Sequence, residues 1–185
     1  LGATHWCLVK LDGSLWCIGE NDSGQVGIGT TADTWTLTQV GSATDWEDIS
    51  VGSYRGEFIP GPDPFAFAKL AHTCAVRSGS GWCWGDNAYG QLGNGTTVDS
   101  PVPVEVGAGD WLRIVTGQTH TCGIRTDGAL SCWGSNQFGQ LGNGSTDASS
   151  VPVLLDDGGS YVDVALGASN ACGLRDDGTI WCWVS

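Results

Sequence analysis

An all-β chain built from about four copies of one small four-stranded unit is what this sequence predicts, and three observations predict it. The line from Gly117 to Gly144, GQTHTCGIRTDGALSCWGSNQFGQLGNG, returns as GDNAYGQLGNGTT from Gly85 to Thr97 and, more loosely, as GENDSGQVGIGTT from Gly19 to Thr31. Its first half recurs as GATHWC at Gly2, AHTC at Ala71 and GASNAC at Gly167. A fixed period of this size is the signature of an array of supersecondary units. The cysteines measure it: Cys74 to Cys122 is 48 residues, Cys122 to Cys172 is 50, and Cys7 to Cys74 is 67, so one copy carries about 17 extra residues. Finally, 30 glycines without a Gly-X-Y period, ten tryptophans and no segment of helical periodicity suit a turn-rich β protein.

Each copy opens with a hairpin. In CLVKLDGSLWC the loop Leu11-Asp12-Gly13 puts glycine where a left-handed residue is wanted, so Lys10 opposes Ser14 and Cys7 opposes Cys17. The loops Thr126-Asp127-Gly128 and Asp176-Asp177-Gly178 set Cys122 against Cys132 and Cys172 against Cys182 by the same count. In the second copy the spacing is one residue shorter, and a two-residue loop, Ser78-Gly79, still brings Cys74 opposite Cys83. All four pairs fall at non-hydrogen-bonded sites, where Cα atoms approach to about 4.5 Å, within disulfide reach. Four local disulfides are therefore expected, each contributing roughly 2–3 kcal/mol in the chain-entropy model. Metal binding through the His-x-Cys pairs at His5, His72 and His120 is the rival, but the fourth copy has Asn170 and equivalent residues of successive units sit apart, so no metal is expected.

After each hairpin comes the Gly-Gln-(Leu/Val)-Gly loop, then an extended segment with Pro101, Pro103 or Pro152, which suits an edge strand. A short apolar strand opened by an aromatic follows, from Trp46 to Ile49, Trp111 to Ile114 and Tyr161 to Val164, and leads through Gly52, Gly117 or Gly167 into the next hairpin.

A net charge of −13 repels phosphate backbones and anionic headgroups, so neither nucleic acid nor membrane insertion is expected. No apolar run reaches 18 residues. Eight cysteines in four pairs favour an oxidising compartment: secreted, cell-surface or periplasmic.

In the order G-x-x-H-(T)-C, D-G-x-(L/I), C-W-G, G-Q-L-G-x-G and W-x-x-I-x-x-G, the chain resembles the regulator of chromosome condensation repeat, in its cysteine-bearing secreted version. The likeness spans residues 1–185 except an insert at about 54–71. It implies a β-propeller, usually of seven blades, of which this chain holds three full repeats and a fourth that stops at Trp183-Val184-Ser185, making a partial ring or one part of a larger one. Propellers of this family serve as nucleotide-exchange factors, chromatin binders and protein inhibitors. Acidity argues against the chromatin role, and guanine-nucleotide exchange belongs to intracellular members. The expectation is a non-enzymatic scaffold, without cofactor, that binds a protein partner or forms a homo-oligomer outside the cytoplasm. The alternative is carbohydrate binding through Trp-rich platforms.

The three histidines share one repeat position, as a residue tying strand to strand would. Most tryptophans also fall on repeat positions and are expected to pack between blades; Trp6 and Trp35 lie off the pattern, and Trp35 is the better candidate for a contact surface. The insert RGEFIPGPDPFAFAKLA, Arg55 to Ala71, holds three of the four phenylalanines and three of the six prolines. Pro60, Pro62 and Pro64 stiffen it toward an extended form. Phe58, Phe65 and Phe67, with Arg55 and Lys69, are the candidate anchors for a partner. Asn21, Asn94 and Asn143 match the glycosylation triplet but lie in repeat turns that Asn-Gly alone explains.

Overall fold

Fourteen strands and no helix make up the described part of the chain, and they fall into four antiparallel sheets in sequence order. The computed structural model describes residues 4–58 and 67–183, with 53–58 and 67–69 as backbone only. The first sheet holds β1 (His5–Val9), β2 (Leu15–Gly19) and β3 (Thr34–Gln39). The second holds β4 (Trp46–Phe58), β5 (Phe67–Arg77), β6 (Ser80–Gly85) and β7 (Ser100–Glu105). The third holds β8 (Trp111–Thr116), β9 (His120–Arg125), β10 (Leu130–Gly134) and β11 (Ser149–Leu154), and the fourth β12 (Tyr161–Leu166), β13 (Ala171–Arg175) and β14 (Ile180–Trp183). These are the blades of a propeller. Two have four strands and the flanking two have three, because the sequence repeats are offset from the blades: three repeats of four strands (β1–β4, β5–β8 and β9–β12) and a fourth holding β13 and β14, with the aromatic-opened strand of each repeat pairing in the next blade's sheet.

Local chemistry sets the hairpins. Gly13, Gly128 and Gly178 take positive φ, and the aspartate before each accepts hydrogen bonds from the residue two places on: Asp12 from Ser14, Asp127 from Ala129 and Asp177 from Thr179. The turn thus fixes its own register. In the second blade Ser78 and Gly79 have φ of 50° and 75°, the primed two-residue turn. The cysteine pairs are direct cross-strand partners, all four bonded, with Cα atoms 4.0–4.1 Å apart. Even the irregularities repeat. The strand opened by the aromatic slips register one residue after it in β4, β8 and β12, and a second slip precedes Gly19, Gly85 and Gly134.

Blades stack face to face, with β1 against β4, β4 and β5 against β8, and β8 and β9 against β12. Three apolar clusters fill the junctions, each joining one blade's disulfide to the next blade's aromatics: Leu15, Cys17 and Val26 with Trp46 and Trp84; Val76, Leu92 and Val106 with Trp111, Ile114 and Trp133; Ile124, Leu130 and Leu141 with Tyr161 and Val164. Trp84, Trp111 and Trp133 are fully buried, and truncating any of them to alanine costs about 3–5 kcal/mol.

The insert is not a separate loop at its base. Backbone pairing of β4 with β5 continues past Gly52↔His72 through Ser53↔Ala71, Tyr54↔Leu70, Arg55↔Lys69 and Phe58↔Phe67, so it rises as a hairpin from the blade. Pro60, Pro62, Pro64 and Phe65 lie outside the described residues. The Ala71 carbonyl accepts the amide of Asp86 just as Thr4 accepts that of Glu20 and Thr119 that of Ser135. Ala71 therefore belongs to the repeat, and the residues without counterpart are Ser53 to Lys69.

Candidate functional site

The Gly-x-Asn to Gly-Gln-Leu-Gly loops form one end of the propeller, and buried side chains hold them rigid. In each, the asparagine side chain spans the loop: Asn87 donates from Nδ2 to the carbonyls of Thr96 and Val98 and accepts the amide of Leu92 on Oδ1. Asn21 and Asn136 make the same set. The glutamine side chain accepts the amide two residues earlier, from Ser23, Tyr89 or Phe138. Its carbonyl reaches across to the next blade. The Gln25 carbonyl accepts both Thr73 Oγ1 (2.8 Å) and Trp84 Nε1 (2.9 Å); that of Gln91 accepts Thr121 Oγ1 (2.8 Å) and Trp133 Nε1 (2.9 Å); that of Gln140 accepts Trp183 Nε1 (2.8 Å). The closing glycine lets that indole approach: a Cβ on Gly27 or Gly93 would sit 2.6 Å from it.

The histidines complete the latch. His5 Nε2 lies 2.6 Å from Thr73 Oγ1 and His72 Nε2 2.9 Å from Thr121 Oγ1. Each threonine has already given its one hydroxyl proton to a glutamine carbonyl, so the imidazole must donate, which fixes the neutral Nε2–H tautomer. Burial holds His5 down to about 4, His120 to about 4 and His72 to about 3, the last also lowered by the neighbouring His120 and His5. At His120 the next blade has Ala171 where the two preceding junctions have Thr73 and Thr121, so its ring nitrogens have no threonine hydroxyl to bond and only the Asn170 backbone acts on them. The expected role of tying strand to strand is the one the geometry gives His5 and His72. The carboxylate of the second loop is also buried: Asp86, bonded by the Gln91 side-chain amide, is pushed up to about 6 by desolvation and by Asp99.

On this rigid end, side chains that the latch does not use face outward. Tyr89 and Phe138, at the loop position just before Gly-Gln, are 42% and 46% exposed. A cavity of about 270 Å³ lies between them, walled by Leu70 at the foot of the insert hairpin, by Gln118 and Gln137 and by Ser169 of the last blade. Neither aromatic stood out in the sequence; the signal was a large apolar residue just before Gly-Gln in two of the three loops, where the first loop has Ser23. Leu70 of the cavity wall belongs to β5, whose backbone ladder with β4 continues through Arg55↔Lys69 and Phe58↔Phe67. Trp35 is elsewhere. It lies on β3 at the first blade's side, 70% exposed, with Trp6 (57%), Ile18, His5 and Glu20 around a cavity of about 370 Å³.

Register shows which residues these two tryptophans replace. Thr34 pairs with Gly19 as Ser100 does with Gly85 and Ser149 with Gly134, so Trp35 holds the position of Pro101 and Ser150. Those residues lie on Gly24 and Gly90 of the preceding loop. Trp6 likewise stands where Thr73 and Thr121 reach back to a glutamine carbonyl. Neither position carries tryptophan in another copy, and both lie on a face that in the inner blades packs against a neighbour. No group of three or more potential metal ligands occurs among the described residues, and no helix there is long and apolar enough to cross a membrane.

Comparison with known proteins agrees with this architecture. The family model described as Regulator of chromosome condensation (RCC1) repeat matches residues 12–55, 78–124 and 127–174, and a second RCC1 repeat model matches 112–140. The ultraviolet-B receptor UVR8 of Arabidopsis thaliana is 32% identical over 135 residues, 70% of this chain and 27% of the receptor. Among solved structures, human WBSCR16 superposes with a TM-score of 0.78 at 19% identity over 99% of this chain and 45% of that one. Prp20p of Saccharomyces cerevisiae, whose structure was described with its binding to Gsp1p and histones, gives 0.70 at 16% identity, over 91% of this chain and 41% of that one. The chain thus spans less than half the length of these relatives. Three matched repeats on a frame of four antiparallel blades place it in the regulator of chromosome condensation repeat family.

Proposed function

We propose that this chain is a non-enzymatic propeller scaffold that binds a protein partner outside the cytoplasm, through the loop end that carries Tyr89, Phe138 and the β4–β5 hairpin. The observation that carries the reading is the contrast at that end: a framework locked by Asn21, Asn87, Asn136 and the Gln–Trp latches presents half-exposed aromatics around an open cavity. Rigid aromatic anchors on a preorganised surface lose little entropy on docking and dominate interface energetics. Prp20p, with the same fold, has protein partners, which makes the class of function familiar without naming this chain's partner. A net charge of −13 favours a partner whose contact surface is neutral or basic. The extracellular setting rests on four disulfides, which persist where thiols are not kept reduced.

The test compares the chain with a Tyr89→Ser/Phe138→Ser double variant, both immobilised and offered the extracellular protein fraction of the source cells. Both substitutions are at surface positions, so folding should survive. A protein retained by the parent and lost by the variant supports the reading; retention by both refutes the site. Light scattering at micromolar concentration distinguishes self-association, in which the parent alone would be larger than a monomer.

A further inference from the structure

At the opposite end of the second blade, where the Ser78-Gly79 turn lies, a cavity of about 430 Å³ is walled by Trp46, Trp82, Arg77, Asp45, Ser42 and Pro103. It falls within the size range of small-molecule sites. Trp46 and Trp82 meet edge to face with centroids 6.5 Å apart. The Arg77 guanidinium lies 5.6 Å and 5.4 Å from the two rings, and its Nε is 3.1 Å from an Asp45 oxygen, while the other Asp45 oxygen accepts Ser78 Oγ at 2.9 Å.

Every blade has this station, and in the others the ring N–H and O–H donors find acceptors, although Ser131 Oγ and the Nε atoms of Arg125 and Arg175 do not find partners. In the third, Trp111 Nε1 donates to the Gly107 carbonyl and Ser131 replaces the second tryptophan. In the fourth, the Tyr161 hydroxyl donates to Asp157, Arg175 donates to Asp157 from 2.7 Å, and Trp181 donates to Thr179 Oγ1 at 3.1 Å. In the first, Trp16 donates to Ser14 Oγ at 2.8 Å. Only at the junction of the first two blades do both indoles, Trp46 Nε1 and Trp82 Nε1, lack an acceptor although both are shielded from solvent. A shielded N–H without an acceptor carries a desolvation cost that a bound acceptor removes. The loop from Gly41 to Asp45, one residue longer than Gly107 to Asp110, lines the cavity and offers the Trp46 indole no carbonyl of the kind that Gly107 gives Trp111.

From this geometry we infer that the cavity is a binding site for a neutral saccharide unit, which enters by displacing the half-exposed Arg77 side chain from the rings. The Trp82 indole, with Trp46 standing at 78° to it, offers a ring face to the apolar face of a pyranose, and two free N–H groups with the guanidinium want hydroxyl or carbonyl oxygens. Asp45 neutralises Arg77, and the chain's overall charge repels anions, so an uncharged ligand fits best. A cation would compete with Arg77 for the same rings. Among the described blades this is the one station where both rings lack an acceptor.

Tryptophan fluorescence of the 185-residue chain, titrated with methyl glucoside, methyl galactoside and N-acetylglucosamine, tests it, with glucuronate as the charged control. At least one neutral sugar should give a saturable change, and Trp82→Ser, which installs the residue the third blade already has, should weaken it by about tenfold or more. Trp46→Phe, which keeps the ring and removes one N–H, guards against a Trp82 variant that fails to fold and should also weaken binding. The inference is overturned if no neutral sugar saturates up to tens of millimolar, if both variants bind like the parent, or if glucuronate binds more tightly than the neutral sugars.

Discussion

Acid should loosen this propeller through its buried histidines, and His72 isolates the effect. Its imidazole is wholly buried, neutral, and committed to Thr121. In the unfolded chain it takes a proton near pH 6.5, whereas in the folded one burial defers that to about 3. The unfolded state therefore binds more protons from pH 6.5 downward, and stability falls with pH through that window until the folded group titrates in turn. At pH 5 the loss is about 2 kcal/mol for His72, and a similar amount applies to His5 and to His120. Asp86 works the other way. Held at about 6, it takes its proton in the folded state first and returns about 1 kcal/mol over the same range. The net loss is a sizeable part of an ordinary domain's 5–15 kcal/mol. Urea unfolding of the parent and of His72→Gln at pH 7.5 and pH 5.0 separates this from all other titrations, which cancel between the two. Glutamine can still donate to Thr121 Oγ1, so the two proteins should lie within about 1 kcal/mol at pH 7.5. At pH 5.0 the gap should move in the variant's favour by about 2 kcal/mol. Parallel stability profiles for the two proteins would refute the account of a buried neutral histidine.

Four further outcomes follow from the repeat geometry. Ala171→Thr supplies the hydroxyl missing beside His120 and should raise stability by about 1 kcal/mol, read as a higher urea midpoint. Gly93→Ala drives a Cβ to within 2.6 Å of Trp133 Nε1 at a φ of 70° and should cost about 1–3 kcal/mol or more, seen as a lower Tm. Removing Ser53 to Lys69, so that Gly52 joins Leu70, recreates the connection that Gly117-Gln118 makes and should leave Tm within several degrees while reducing partner capture; a deletion that also takes Ala71 removes a buried residue of the latch and should be visibly less stable. Alkylation without reductant should label no cysteine, since all eight are paired, and reduction should lower stability by roughly 2–3 kcal/mol for each bond.

By itself the sequence determined the unit: hairpins, cysteine partners and strand order are written into Asp-Gly and Ser-Gly turns and into a side-chain period of two, all within a dozen residues of one another. Glycine and aspartate act on their own backbone, so those signals survive without knowledge of the rest of the chain. What Gln25, Gln91, His72 and Thr121 do was settled only by the tertiary structure, because each finds its partner on another blade, some 30 to 68 residues away. For the same reason the place of Trp35, a contact candidate in the sequence, on the edge strand of the first blade came only from the pairing of β3 with β2. The base of the insert read as free chain until β4 and β5 were seen to continue their ladder through it. Residue type also cannot say whether an indole N–H finds an acceptor. Trp16 and Trp82 hold the same repeat position and each follows a serine by two residues, yet only Trp16 reaches it; that difference belongs to the neighbouring blade's loop and to Arg77 lying across the ring, which no local pattern encodes.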